Sequence, residues 1–185
     1  MLKFEIIVSL FATMLISAVV TPFIRKLAFR WGAIDSPNKR RMNKIPMPTL
    51  GGLAIFVSYT IATLFLLRSQ MPTHQLYGMF AGQVVIIITG VIDDIIVLKP
   101  RQKVFGISLA AIIVYFFGNI QMSNVSLPFI GTFSLGWFSL PITLIWILAI
   151  TNAVNLIDGL DGLATGVAVI ALTTMGITGF FFLNV

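Results

Sequence analysis

Six stretches of the chain are apolar with few or no charges: residues 4–24, 51–67, 77–98, 104–120, 139–157 and 163–185. Most approach the roughly 20 residues that a helix needs to cross the hydrocarbon of a bilayer. Any one of them alone reads equally well as a buried helix of a soluble protein. Six in succession, joined by short polar loops, favour membrane spans. In lipid no water satisfies the backbone, so each spanning segment must pair its own N–H and C=O groups and become helical. The sequence therefore predicts an all-α, polytopic membrane protein with about six transmembrane helices, forming a single transmembrane domain over 1–185. Only 10% of the residues are charged, against about 25% in soluble domains. Cysteine is absent, which excludes a disulfide framework and a thiolate metal site. The first segment starts with Lys3 and an apolar run, as a signal peptide does, but "TPFIRK" follows instead of a small-residue cleavage site. It is read as a retained span.

The net charge of +6 would suggest nucleic acid in a soluble protein. Here its placement assigns another meaning. Arg25, Lys26, Arg30, Lys39, Arg40, Arg41 and Lys44 lie between the first two apolar segments, and Lys99, Arg101 and Lys103 follow the third. The remaining two, Lys3 and Arg68, fall on the opposite side. Basic loops stay on the cytoplasmic side. This predicts cytoplasmic loops at about 25–50, 95–103 and 155–162, and outer loops at about 68–76 and 121–138. The basic charge is an orientation signal facing anionic lipid or anionic substrate, and no nucleic acid is needed to explain it.

The six acids carry more information. Four form two pairs, Asp93 with Asp94 and Asp158 with Asp161, at the inner ends of the third and fifth segments. The orientation rests on lysine and arginine alone, so the agreement of both pairs with it is an independent check. Carboxylates at a membrane edge lose hydration and need a partner. Adjacent ones repel, and one protonates unless a cation neutralises them. A hard divalent ion such as Mg²⁺ suits oxygen ligands and keeps positions open for substrate phosphate. At helical spacing Asn155, Asp158 and Asp161 would share a face, and Gly159 and Gly162 would let a ligand approach the backbone. The alternative is that the acids pair with loop lysines at helix ends. Acids flanked by Lys44, Lys99, Arg101 and Lys103 are the equipment of phosphoryl chemistry, in which a metal neutralises phosphate oxygens and lysines balance a diphosphate.

"GVIDDIIVLKPRQK" at 90–103 and "TNAVNLIDGLDGLATG" at 151–166 resemble the polyprenyl-phosphate N-acetylhexosamine-1-phosphate transferases, glycosyltransferase family 4. "PNKRRMNKIPMPTLGG" at 37–52 resembles a third element of that family. The motif "TNAVNLIDGLDGLA" looks closer to the undecaprenyl-phosphate N-acetylglucosaminyl-1-phosphate transferase branch, which starts teichoic acid and O-antigen synthesis, than to the branch using UDP-MurNAc-pentapeptide. The resemblance implies transfer of a sugar-1-phosphate, GlcNAc-1-phosphate in that branch, from a UDP-sugar to undecaprenyl phosphate. UMP is released in this first membrane step of cell-wall polymer synthesis. It implies Mg²⁺, with Mn²⁺ as an alternative, and a multi-pass place in the bacterial cytoplasmic membrane with the active face inward. By the same resemblance Asp93, Asp94, Asp158 and Asp161 are catalytic, and Asp93 and Asp94 are the metal ligands. Lys44, Thr49, Lys103, Asn152 and Asn155 bind substrate, with Gly51 and Gly52 completing the first loop's signature. Partners would be undecaprenyl phosphate, a UDP-N-acetylhexosamine and membrane lipid; the oligomeric state, a homodimer included, is left open. Asn43 and Ile107 stand where the family usually has histidine and glutamine. Family members are longer, so the chain is expected to be the N-terminal part of a larger helical bundle.

Other features are plainer. His74 lies in an expected outer loop and reads as solvated. Gly78, Gly82 and Gly90 are candidates for close helix contacts. "SLPFIGTFSLGW" at 126–137 suggests a small hairpin. Two rival functions remain open: an ion-coupled transporter, which would place its acids near the midplane within internal repeats, and a non-catalytic fragment or assembly partner.

Overall fold

The computed structural model describes residues 2–35, 46–68, 71–127, 129, 131–159 and 162–182. The chain divides into two compact units, Met1–Leu144 and Ile145–Val185. The first holds α1 (Leu2–Trp31), a two-residue ribbon of β1 (Ile34–Asp35) and β2 (Met47–Pro48), and α2 (Gly51–Ala62), which ends in a π-helical turn at Thr63–Leu67. After these come α3 (Thr73–Ile96), α4 (Pro100–Gly118), and the strands β3 (Asn124–Leu127) and β4 (Gly131–Ser134). Helix α5 (Ser139–Ile157) begins in the first unit and runs into the second, which also holds α6 (Leu163–Phe182).

Every expected span has its helix. Four segments, Ile7–Trp31, Thr73–Ile96, Pro100–Gly118 and Gly136–Ile157, are long and apolar enough to cross a membrane, and Gly51–Leu66 and Leu163–Gly179 are shorter apolar helices. Their large side chains face outward: Phe11, Leu15, Val19 and Phe23 on α1, and Ile170, Leu172 and Met175 on α6 are exposed. Apolar surface of that extent is stable against lipid and not against water. The chain is an all-α polytopic membrane protein. The hairpin expected at 126–137 is present over 124–134, with β3 and β4 antiparallel and Val125 opposite Phe133.

The ends of the helices differ from the loop boundaries drawn on hydropathy. Helix α1 continues to Trp31, so 25–31 is helical, and Arg30 stands in the last turn, where the carbonyl end of the helix dipole favours a cation. Helix α3 begins at Thr73, so His74 belongs to its first turn rather than to an outer loop. Helix α5 keeps Asn155 to Ile157, and α3 and α4 take 95–96 and 100–103. Hydropathy marks where a helix meets lipid and is blind to a helix that continues into a polar segment.

Two packing arrangements position the site. In the first, Ala28, Ala33 and Leu50 are buried together, with Ile24 and Val91 packed against them. The Ala33 carbonyl accepts both the N–H and the hydroxyl of Thr49, each at 3.1 Å. This draws the start of α2 to α1 and to the stretch of α3 that leads into the aspartates. In the second, α3 and α4 form a tight antiparallel hairpin. Leu76, Gly78 and Gly82 of α3 and Ile107, Ala110, Ala111 and Gly118 of α4 are buried. A Cβ at Gly78 would collide with the Gly118 backbone, one at Gly82 with the Val114 side chain, and one at Gly106 with Thr89. Small residues let the backbones approach, which is how helices gain contact where lipid removes the hydrophobic drive. Gly90 does not share this role, because a Cβ there meets nothing within 4 Å.

Candidate active site

The turn between α3 and α4 is built by its own hydrogen bonds. Helix α3 ends when Val97 enters the left-handed region at φ 52°, while its N–H still reaches the Asp93 carbonyl at 2.9 Å. The next N–H, of Leu98, donates to Asp93 Oδ1 at 2.9 Å. Helix α4 then starts with Pro100 in its first turn, where a missing N–H costs nothing. The Lys99 N–H donates to Gln102 Oε1 at 2.9 Å, and the Lys99 carbonyl accepts the Gln102 N–H at 2.9 Å. This reciprocal cap fixes the first turn of α4. One turn along, Lys103 Nζ donates to Asp93 Oδ2 at 2.9 Å, an ion pair whose two side chains are each 21% exposed.

Of the two adjacent aspartates, Asp93 thus points into the turn and uses both carboxylate oxygens there. For this residue the pairing with a loop lysine is realised. Asp94 is exposed. Lys103 thus stands beside Asp93 in the structure. Lys99 and Arg101 are exposed on the same turn, so the end of the hairpin carries two carboxylates and three cations. Thr49 is brought towards this end through Leu50, whose cluster includes Val91, two residues before Asp93. Its hydroxyl closes the β1–β2 ribbon onto Ala33. Gly51 and Gly52 open α2, and a Cβ at either would meet nothing within 4 Å. Lys44 lies outside the described residues.

In the second unit, Asn152 donates from its amide to the Leu148 carbonyl at 2.8 Å, satisfying a polar side chain on an apolar helix. Asn155 and Asp158 are exposed at the end of α5. The Asp158 N–H still reaches the Val154 carbonyl at 3.1 Å, and the Gly159 N–H turns back to Ile157 at 2.8 Å. Gly162, at φ 79°, then opens α6 in a conformation that glycine adopts without strain. Helix α5 stops at Ile157, so Asn155 stands in its last turn and Asp158 just beyond it; Asp161 lies outside the described residues.

Among the described residues, no group of three or more His, Cys, Asp or Glu side chains is placed to hold a metal ion. The α3 end offers two carboxylates, those of Asp93 and Asp94. Sequence reasoning missed the Leu98 N–H and the Gln102 amide, the groups that shape the turn. "KPRQ" at 99–102, with proline at the first helical position and glutamine three residues after Lys99, was the available signal for a helix start at Pro100.

The glycosyl transferase family 4 model matches residues 76–185. A Bacillus subtilis (strain 168) protein named "Probable undecaprenyl-phosphate N-acetylglucosaminyl 1-phosphate transferase" is 37% identical over 175 residues, covering 94% of this chain and 48% of that protein. A phospho-N-acetylmuramoyl-pentapeptide-transferase of Acetivibrio thermocellus is 33% identical over 179 residues, 90% of this chain and 53% of that protein. One from Clostridium botulinum (strain Eklund 17B / Type B) is 31% identical over 182 residues, 91% and 54%. The chain spans about half the length of the curated relatives it matches. No solved structure matches it. The matched residues include both aspartate motifs and the turn that holds Asp93 on Lys103, and with more than half of its length matched, the chain belongs to glycosyl transferase family 4.

Proposed function

We propose that this chain is part of a membrane enzyme that transfers a sugar-1-phosphate from a UDP-sugar to undecaprenyl phosphate and releases UMP. The observation that carries the reading is the α3–α4 turn: an aspartate pair and Lys103, held at 2.9 Å from Asp93, at the end of an apolar hairpin. A lipid phosphate lies at the membrane edge and a nucleotide sugar in water, and a charged turn capping two spans is where they can meet. An oxygen of the lipid phosphate forms a bond to the β-phosphorus of the UDP-sugar. The bond from that phosphorus to the bridging oxygen breaks, and the oxygen leaves on UMP. Such transfers need positioning and charge compensation more than covalent chemistry. Lys103, Lys99 and Arg101 balance phosphate charge. Asn152, Asn155 and Asp158 hold the nucleotide sugar, as the family resemblance implies. A bound Mg²⁺ would neutralise phosphate oxygens, and the α3 carboxylates Asp93 and Asp94 would hold it in this unit.

The preferred sugar in this reading is N-acetylglucosamine. The 37% identity to the Bacillus subtilis protein, against 33% and 31% to the two pentapeptide transferases, supports it. The 25–50 and 95–103 segments face the cytoplasm, and cell-wall polymer synthesis consumes the product. The test is UMP release by the purified full-length protein from UDP-N-acetylglucosamine and undecaprenyl phosphate, with and without Mg²⁺. Release that requires all three is the expected result. No UMP from either UDP-N-acetylglucosamine or UDP-MurNAc-pentapeptide would overturn the proposal.

A further inference from the structure

Residues 119–138, from the end of α4 to the turn before α5, contain no Asp, Glu, Lys, Arg or His. The β3–β4 register sorts what remains onto two faces, since side chains alternate along a strand and paired residues point the same way. Asn124 stands opposite Ser134 and Ser126 opposite Thr132, and the last two hydroxyls share a hydrogen bond of 2.8 Å. Val125 opposite Phe133 and Leu127 opposite Gly131 make the other face. One side of the ribbon is polar and the other apolar. Among the described residues the apolar side is largely open: Leu127 is 46% and Phe133 48% exposed, and Phe129 at the tip is fully exposed.

The ribbon is fixed to the spans it joins. The Met122 N–H donates to Thr143 Oγ1 at 3.0 Å, and the Ser139 hydroxyl donates to Gln121 Oε1 at 3.4 Å. Ser139 and Thr143 are buried at the start of α5. The Leu135 N–H closes the base on the Ser123 carbonyl at 2.8 Å. Aromatic rings crowd the same end: Trp137 and Phe138 just before α5, and Phe116 and Phe117 in the last turn of α4, are exposed. Such rings at the ends of spans sit at the level of the lipid headgroups. The backbone limits how deep the ribbon can go. Two strands leave their outer N–H and C=O groups without a ladder partner, and such groups do not enter hydrocarbon.

We infer that the β3–β4 hairpin is a membrane-interface anchor. Its Val125, Leu127 and Phe133 face and the Phe129 tip rest on lipid at the headgroup–acyl boundary, and Asn124, Ser126, Thr132 and Ser134 face water. Apolar surface holds it there, since the ribbon has no Lys or Arg to draw anionic lipid. Helix α4 has 19 residues, about 28 Å at 1.5 Å per residue, which is close to the roughly 30 Å of hydrocarbon. Pinning its Gly118 end therefore sets the depth of its other end, where Lys103 stands on Asp93. The inference rests on the membrane fold and not on the transferase reading.

The test uses the full-length protein, freed of any other cysteine, in phosphatidylcholine nanodiscs. A nitroxide is attached to Leu127→Cys, Phe129→Cys or Phe133→Cys on the apolar side, and to Ser126→Cys or Thr132→Cys on the polar side. Power-saturation electron paramagnetic resonance reads the collisions of each label with oxygen, which concentrates in lipid, and with a water-soluble nickel chelate. The apolar-side labels are expected about 5–10 Å inside the boundary, the depth of an amphipathic element lying at an interface. The polar-side labels are expected to meet the nickel chelate. Equal nickel contact on both sides overturns the inference, because the ribbon then stands in water. Apolar-side labels shielded from both oxygen and nickel also overturn it, because protein then covers that face, either another part of the chain or a second copy. All five positions are exposed. Should Phe133→Cys not fold, Leu127→Cys on the same face decides. Phosphatidylglycerol added to the nanodiscs is expected to leave the depths unchanged, and labels that sink further with it overturn the charge-free mode of anchoring.

Discussion

Val97 shows how much the turn demands of single residues. It is β-branched, 81% exposed, and held at φ 52°. The left-handed region brings a Cβ against the carbonyl and costs about 1–2 kcal/mol per residue. The cost is borne because the Val97 and Leu98 N–H groups both end on Asp93, and strain of this kind gathers at functional turns. Val97→Gly should remove it and lose little packing, offset by the roughly 0.5–1 kcal/mol that ordering a glycine costs. The expected outcome is a melting temperature unchanged or a few degrees higher in detergent. A clear fall would mean that the valine side chain stabilises the turn through contacts made in the membrane. At the other acidic motif, Asp158 is exposed beyond the last turn of α5. Its substitution should therefore leave folding intact. Asp158→Asn in the full-length protein is expected to lower UMP release at least about a hundredfold, the scale of losing one preorganised electrostatic contact, with an unchanged gel-filtration profile. Turnover near that of the unaltered protein would remove Asp158 from the site.

The α3–α4 hairpin is where sequence and structure can be compared closely. Three glycines of α3 were candidates for close packing, and the hairpin uses Gly78 and Gly82 but not Gly90. The period of a helix shows which residues share a stripe. It does not show which stripe a neighbour will cover, and the two glycines that α4 contributes, Gly106 and Gly118, have no mark of their own in an apolar run. Gly78→Ala and Gly82→Ala should each destabilise the hairpin by about 1–3 kcal/mol, the usual cost of forcing volume into a packed contact. Gly90→Ala should be neutral or stabilising, since alanine is the better helix former by about 1 kcal/mol and has open space here. Thermal unfolding in detergent checks all three, and equal losses would mean that α3 presents another face to α4. The caps were similarly half legible. Pro100 announces the start of α4, whereas the bond from Leu98 to Asp93 needs the three-dimensional turn before it can be seen.

At the scale of the whole chain, the apolar runs made six helices legible because lipid imposes one rule on every backbone group. Their ends were less legible, since α1 and α5 carry on into segments whose side chains are polar. The acidic motifs were legible as places, and pairing of acids with loop lysines was an alternative the sequence left open. The hydrogen bonds that Asp93 makes in the turn were not legible, because they depend on which N–H groups the turn folds over that carboxylate. Orientation is the property on which the proposed reaction depends most directly, since a UDP-sugar is supplied from the cytoplasm. The positive-inside argument assigns Arg25, Lys26, Arg30, Lys39, Arg40, Arg41, Lys44, Lys99, Arg101 and Lys103 to one side. On that argument the β3–β4 hairpin, which carries no Lys or Arg, is expected outside. These 185 residues contain no cysteine, so an introduced one is the single thiol within them. Arg101→Cys, exposed at the start of α4, and Thr132→Cys, exposed in β4, place one thiol on each side. In intact cells a membrane-impermeant maleimide is expected to label Thr132→Cys, and to label Arg101→Cys only after the membrane is opened. The opposite pattern would turn the α3–α4 end away from the nucleotide sugar and remove the transferase reading, whatever the family resemblance. The expected pattern would place the aspartates and their lysine on the side where the sugar donor arrives.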